Sequence, residues 1–79
     1  MALLPSPPVD TLLDLAEENG LNRIQLAEFL NISDDYLTNL INRVYPITYI
    51  APILDELNWG SIEFWTNRHN NYIKAMEQL

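Results

Sequence analysis

Residues 22–43 constrain the fold more than any other part of the chain. Apolar side chains recur there at the three- and four-residue spacing of a helix, first over 23–30 and again over 34–43. Only three residues separate the two predicted helices, so the helices must pack against each other at a steep angle. The pattern therefore predicts a helix-turn-helix unit.

The residue types at the turn favour the same geometry. Ala27 places a small side chain where the two helices cross, and four residues later Asn31 tolerates the positive φ that a tight turn requires. Asn22 is predicted to cap the first helix of the unit, with Gln25 as its capping-box partner, and Ser33 is predicted to cap the second. Apolar contacts are expected at Ile32, Leu37 and Leu40.

The N-terminal segment predicts an extended lead-in and one further helix. Residues 1–8 contain three prolines, which oppose regular pairing. Ser6 is the predicted cap of a helix with Pro7 in its first position, and that helix is expected to end near Asn19.

The C-terminal half predicts two more helices, which complete an all-α fold of five helices in a single domain over residues 1–79. One is expected over 49–58, with Thr48 as its cap and Pro52 making its first turn irregular. The last begins after a cap at Ser61 and continues to the end of the chain.

The last predicted helix is amphipathic along its whole length. Six of its positions are spaced alternately three and four residues apart, as at a coiled-coil seam: Ile62, Trp65, His69, Tyr72, Met76 and Leu79. Its distal part predicts contact with a second copy of the chain, with a different protein partner as the alternative. The predicted dimer seam consists of Trp65, His69, Tyr72, Ile73, Met76 and Leu79. For His69 and the aromatic residues the favoured interpretation is packing in the chain's own core, and a pH-sensitive interface is a further interpretation for His69.

Composition excludes several classes of function. The chain has no cysteine and one histidine, so disulfides, thiolate metal sites and multi-histidine metal cages are excluded. Its two glycines cannot form a glycine-rich phosphate loop. The acidic pairs Glu17-Glu18 and Asp55-Glu56 are sequence neighbours, so their side chains do not face each other on a helix. We therefore expect no enzyme, no cofactor and no metal.

Nothing in the sequence predicts a membrane or secretory signal. The longest uncharged stretch covers residues 44–54, well short of the ~20 residues that span a bilayer. The first residues lack the basic region that begins a signal peptide. We expect a soluble, cytoplasmic protein.

The charge of −7 bears directly on the choice of partner. Residues 1–38 contain seven acidic residues and one basic residue, so the acidic character is concentrated in the first half. Proteins that bind nucleic acid are usually basic. The charge therefore favours a basic protein partner and opposes binding to a phosphate backbone.

The candidate DNA contacts lie on the helix-turn-helix unit. Asn39 has the amide that bonds adenine in a bidentate way, and Arg23 and Arg43 suit phosphate oxygens. The candidate DNA-binding set is Arg23, Ser33, Thr38, Asn39, Asn42 and Arg43. A solvated polar face is the alternative interpretation.

Two acidic residues lie at the positions where helix-turn-helix repressors usually have their base-reading residues. Asp34 and Asp35 open the second helix of the unit, where carboxylates also gain from the helix dipole. A carboxylate can accept a bond from cytosine. The third interpretation makes Asp34 and Asp35 the contact for a basic protein partner.

Short motifs along residues 7–73 resemble one branch of helix-turn-helix proteins. Pro8-Val9-Asp10 leads the first helix, Pro46-Ile47-Thr48 follows the third, and Glu63-Phe64-Trp65 opens the last, with Asn71-Tyr72 shortly after it. Together with the helix-turn-helix, these motifs are similar to those of HigA-like antitoxins in the Xre/Cro repressor superfamily. The resemblance implies a lambda-repressor-like fold and a homodimer whose third helix enters the major groove of operator DNA. It also implies repression of the protein's own operon and binding of a basic toxin.

A second hypothesis follows from the charge and from Asp34 and Asp35. In it the chain keeps the helix-turn-helix fold but has lost DNA binding. It would act as an acidic protein-interaction module, such as a phage-type inhibitor or a DNA mimic.

Overall fold

The computed structural model describes residues 4–79. Its elements follow in the order α1 (Pro8–Glu18), α2 (Arg23–Leu30), α3 (Asp34–Ile41), a 3₁₀ turn (Ile47–Tyr49), α4 (Ala51–Glu56) and α5 (Ile62–Glu77). No strand occurs in this part of the chain. The prediction of an all-α fold with five helices is therefore confirmed.

Local side-chain chemistry fixes the start of three helices. Asn22 Oδ1 accepts from the Gln25 backbone N–H at 2.8 Å, while Gln25 Oε1 accepts from the Asn22 N–H at 2.9 Å. This is the predicted capping box, and it begins α2 at the predicted residue. Ser33 and Ser61 cap α3 and α5 as predicted, each accepting from the N–H three residues later.

The turn between α2 and α3 takes the predicted conformation at Asn31, whose φ is 57° and ψ 44°. This left-handed residue reverses the chain, and the N–H of Ile32 then donates to the carbonyl of Ala27 at 3.0 Å. Ala27 is buried. The short connection and the small side chain let α2 and α3 pack together.

The N-terminal prediction is wrong in two details. Pro7 is the N-cap residue of α1 and Pro8 its first residue, so the helix begins one residue later than predicted and the lead-in ends at Pro7. Ser6 does not cap the helix, because it precedes the N-cap residue; its Oγ instead accepts from Arg68 Nη2 at 3.0 Å. Residues 1–3 of the predicted lead-in lie outside the described residues.

Helices α3 and α4 are shorter than predicted. α3 ends at Ile41, because Arg43 has a φ of 62° and the N–H of Val44 turns back to the carbonyl of Asn39 at 2.8 Å. α4 covers six residues and has no side-chain cap, so Thr48 is not its cap but a residue of the 3₁₀ turn. Pro52 fits in its first turn, where a missing N–H leaves no helical bond unmade.

The largest fully buried side chain of the core is that of Trp65 in α5. Its side chain is 0% exposed, and its indole Nε1 donates to the carbonyl of Trp59 at 3.0 Å. α5 packs against α1, α4 and the 3₁₀ turn, and α3 packs against α1 and α2. The other buried apolar residues are Val9, Leu12, Ala16, Leu26, Ala27, Leu30, Leu37, Leu40, Ile47, Ile50, Ala51 and Leu54.

No helix within residues 4–79 combines the length and the apolar character needed to cross a bilayer. Over the same range, no three His, Asp or Glu side chains gather in a way that would hold a metal ion.

Candidate nucleic-acid and partner interface

The outward face of α3 and its two ends carry most of the candidate residues. Asp34, Asp35 and Ser33 are exposed at its N-terminal end, and Asn42 and Arg43 are exposed beyond its last turn. Thr38 and Asn39 are half-buried between them. Arg23, the first residue of α2, bonds to Asp34 and Thr38, so the structure brings these three candidates together, whereas Asn42 and Arg43 lie at the opposite end of α3.

Arg23 is already engaged by two other candidate residues. Its Nε donates to Asp34 Oδ1 at 3.1 Å, and its Nη2 donates to Thr38 Oγ1. The Thr38 hydroxyl donates in turn to the carbonyl of Asp34 at 2.9 Å. We call Arg23, Asp34 and Thr38 the N-terminal cluster, and it joins the first turns of α2 and α3.

The N-terminal cluster links residues that the sequence analysis had assigned to different roles. Arg23 and Thr38 were candidate DNA contacts, whereas Asp34 was a candidate partner contact. The side chains of Arg23 and Asp34 are 47% and 66% exposed, so the ion pair itself contributes about 0–1 kcal/mol to stability. The ion pair has a larger effect on phosphate binding, because the negative charge of Asp34 offsets the positive charge with which Arg23 would bind a phosphate.

The C-terminal end of α3 presents a second basic residue in a different setting. Arg43 lies past the helix in the left-handed region and not in its last turn, which corrects the prediction that it closes the helix. The carbonyl of Asn39 accepts from the N–H groups of both Val44 and Tyr45, at 2.8 and 3.2 Å, and so fixes the loop that carries Arg43. Within residues 4–79 the arginine side chains that make hydrogen bonds are those of Arg23 and Arg68.

Three tyrosines, one in α3 and two after it, form a row of rings that the sequence does not predict. Tyr36 and Tyr45 have ring centroids 4.9 Å apart, and Tyr45 stacks on Tyr49 at 5.6 Å. The residues come from α3, the following loop and the 3₁₀ turn, so no helical period connects them. The only signal in the sequence is the local density of tyrosine, which does not indicate contact by itself.

The predicted dimer seam on α5 divides into an inner and an outer part. Trp65 is wholly buried in the chain's own core, so its assignment to a contact with a second copy is wrong. His69 and Tyr72 are half-buried against the rest of the chain. The outer residues of the seam remain on the surface, with Ile73 42%, Met76 41% and Leu79 64% exposed.

Comparison of the chain with protein-family models, curated proteins and solved structures found no match.

Proposed function

We propose that this protein is a dimeric, cytoplasmic DNA-binding regulator with a lambda-repressor-like helix-turn-helix, in which α3 enters the major groove of operator DNA. The observation that carries the proposal is the α2–α3 connection. Three residues with a left-handed Asn31 join two eight-residue helices, and Ala27 is buried. This is the arrangement that presents one helix of a pair to a groove.

The proposed contacts concentrate at the C-terminal end of α3 and just beyond it. Asn39 and Asn42 supply amides for base edges, and Arg43 supplies a cation for a phosphate. Ser33 at the helix start offers a hydroxyl for the backbone. Arg23 and Thr38 contribute less, because each already bonds within the N-terminal cluster.

The more specific proposal is an antitoxin of the HigA type that represses its own operon. The motif resemblance supports it, and so does the acidic first half of the chain, which suits a basic toxin. The homodimer would use the outer part of the α5 seam, Ile73, Met76 and Leu79, which is exposed in the single chain.

Replacement of Asn39, Asn42 and Arg43 by alanine tests the DNA-binding face. We expect operator binding to fall at least a hundredfold, since a bidentate base contact alone is worth about 1–3 kcal/mol. The matched control also uses alanine and replaces two amides and one cation on α5, namely Asn70, Asn71 and Lys74.

Binding is measured by electrophoretic mobility shift with circular dichroism to check the fold. The control should keep its affinity. Undiminished binding by the α3 variant would exclude this face as the DNA site.

The second candidate function is the acidic protein-interaction module. The N-terminal cluster favours it, because Asp34 offsets Arg23 while Asp35 leaves a further negative charge at the helix start. Alanine at both Asp34 and Asp35 separates the two functions. A module would lose its basic partner, as measured by calorimetry, whereas a repressor would keep or gain affinity for DNA in the same variant.

A further inference from the structure

A small cavity lies between the segment before α1, the loop after α3 and the middle of α5. Its volume is about 130 Å³. It is partly open to solvent, and most of its wall is apolar, including Val9, Leu40, Ile47 and Ile73. A cavity of roughly 150 Å³ is enough to hold benzene, so the volume of this cavity suits an apolar group the size of one six-membered ring.

The charge of the cavity wall is opposite to that of the whole protein. The chain has eleven acidic and four basic residues, yet among residues 4–79 no acidic side chain lines the cavity, whereas Arg43 and His69 both do. Within residues 4–79 neither Arg43 nor His69 makes a side-chain hydrogen bond. A guanidinium beside an apolar chamber suits a carboxylate attached to an apolar body.

Two sets of hydrogen bonds hold the walls in place. On one side Arg68 donates to Ser6 Oγ at 3.0 Å and to the carbonyl of Pro7 at 3.5 Å, which fastens the segment before α1 to α5. On the other side the loop that carries Arg43 is fixed by its bonds to the carbonyl of Asn39. A site that is formed before binding loses less entropy when a ligand enters.

We infer that this cavity binds a small monocarboxylate with a compact, ring-sized apolar body. The apolar part fills the chamber, and the carboxylate pairs with Arg43. This assignment goes beyond the proposed function. It shares Arg43 with the proposed phosphate contact and Ile73 with the proposed dimer seam, but it concerns a small ligand and is tested without DNA.

Benzoate is the probe, and benzyl alcohol is its neutral counterpart of similar size. In ¹H–¹⁵N correlation spectra of the protein, we expect benzoate to shift the amides of Arg43, Tyr45, His69 and Ile73 saturably. For a ligand of nine heavy atoms the dissociation constant should be on the order of 1 mM. Benzyl alcohol should bind about tenfold more weakly, since it lacks the charge.

Variants then test the contribution of the Arg43 charge separately from that of the apolar cavity. Arg43→Gln should weaken benzoate about tenfold while leaving benzyl alcohol unchanged, and it keeps a side chain at the same positive φ. Ile73→Trp should weaken both probes, because the larger side chain fills the chamber. Lys74→Gln, a cation on α5 outside the cavity, should change neither.

Three results would overturn the assignment. One is the absence of saturable shifts at benzoate concentrations about tenfold above the expected constant. Another is equal affinity for the two probes. The third is unchanged benzoate binding in Arg43→Gln when its spectrum shows a folded protein.

Discussion

Asparagine occupies left-handed backbone positions in this chain that are often taken by glycine, and it also caps a helix. Asn31 and Asn58 have φ values of 57° and 62°, and Asn22 caps α2 with its side chain. The role of Asn31 could be predicted from the sequence, because its short side chain tolerates the left-handed region and a tight turn had to lie there. Arg43 also has a positive φ, but its residue type gives no such signal, and its place past the helix was missed.

The two glycines differ in a way that predicts different mutational effects. Gly60 has a φ of 113°, and a Cβ built there would lie 2.7 Å from Trp65 Nε1. Gly20 has a φ of 70°, and apart from its chain neighbours no heavy atom of the described residues lies within 4 Å of such a Cβ. We expect Gly20→Ala to lower the free energy of unfolding by about 1 kcal/mol through backbone strain, and Gly60→Ala by about 2–4 kcal/mol through strain plus the clash.

Urea denaturation followed by tryptophan fluorescence measures both glycine variants, and Gly20→Ala serves as the control for strain alone. Equal losses would mean that Trp65 moves away from the new methyl group without cost.

At the scale of the elements, three of the five helix starts were predicted together with their caps, whereas Ser6 and Thr48 were wrongly predicted as caps. Asn22, Ser33 and Ser61 cap helices through bonds to residues three positions away, so the sequence alone contains the whole signal. The ion pair of Arg23 and Asp34 spans eleven positions and exists only after α2 and α3 have packed. Local patterns therefore predicted the candidate face but not which of its members would bond to one another.

The outer part of the α5 seam predicts self-association. Ile73→Glu combined with Met76→Glu should convert the dimer to a monomer, because like charges would then face each other across the symmetric contact. Sedimentation velocity at micromolar concentration measures the change.

The matched control for self-association places two glutamates at other exposed apolar residues, Ile24 and Val44. The control should sediment as the parent does. If the parent protein sediments as a monomer, the proposal that the α5 seam forms a dimer contact is contradicted.

At the scale of the whole molecule, one helix organises the fold. α5 packs against α1, α4 and the 3₁₀ turn through Trp65, while its later turns carry the exposed part of the seam. The same helix therefore closes the core and offers a surface. The amphipathic spacing predicted the helix but could not separate these roles, because both place apolar residues at the same period.

The net charge of −7 sets the central question for the whole molecule. An acidic chain can bind DNA only where local basic groups outweigh the general repulsion. On the candidate face, Arg23 and Arg43 are matched in number by Asp34 and Asp35. The proposed binding to DNA would therefore rely on base contacts, and on a second copy of the chain to double the number of contacts.

Fluorescence anisotropy of a labelled duplex from the gene's own upstream region, titrated with protein at two salt concentrations, tests DNA binding most directly. Arg23 and Arg43 counted in both copies give two to four phosphate contacts, so the logarithm of the binding constant should fall with the logarithm of salt at a slope of about −2 to −4. We predict such binding, tighter than to a scrambled duplex. No binding at the lower salt concentration would contradict the account, and the fold would then serve a protein partner.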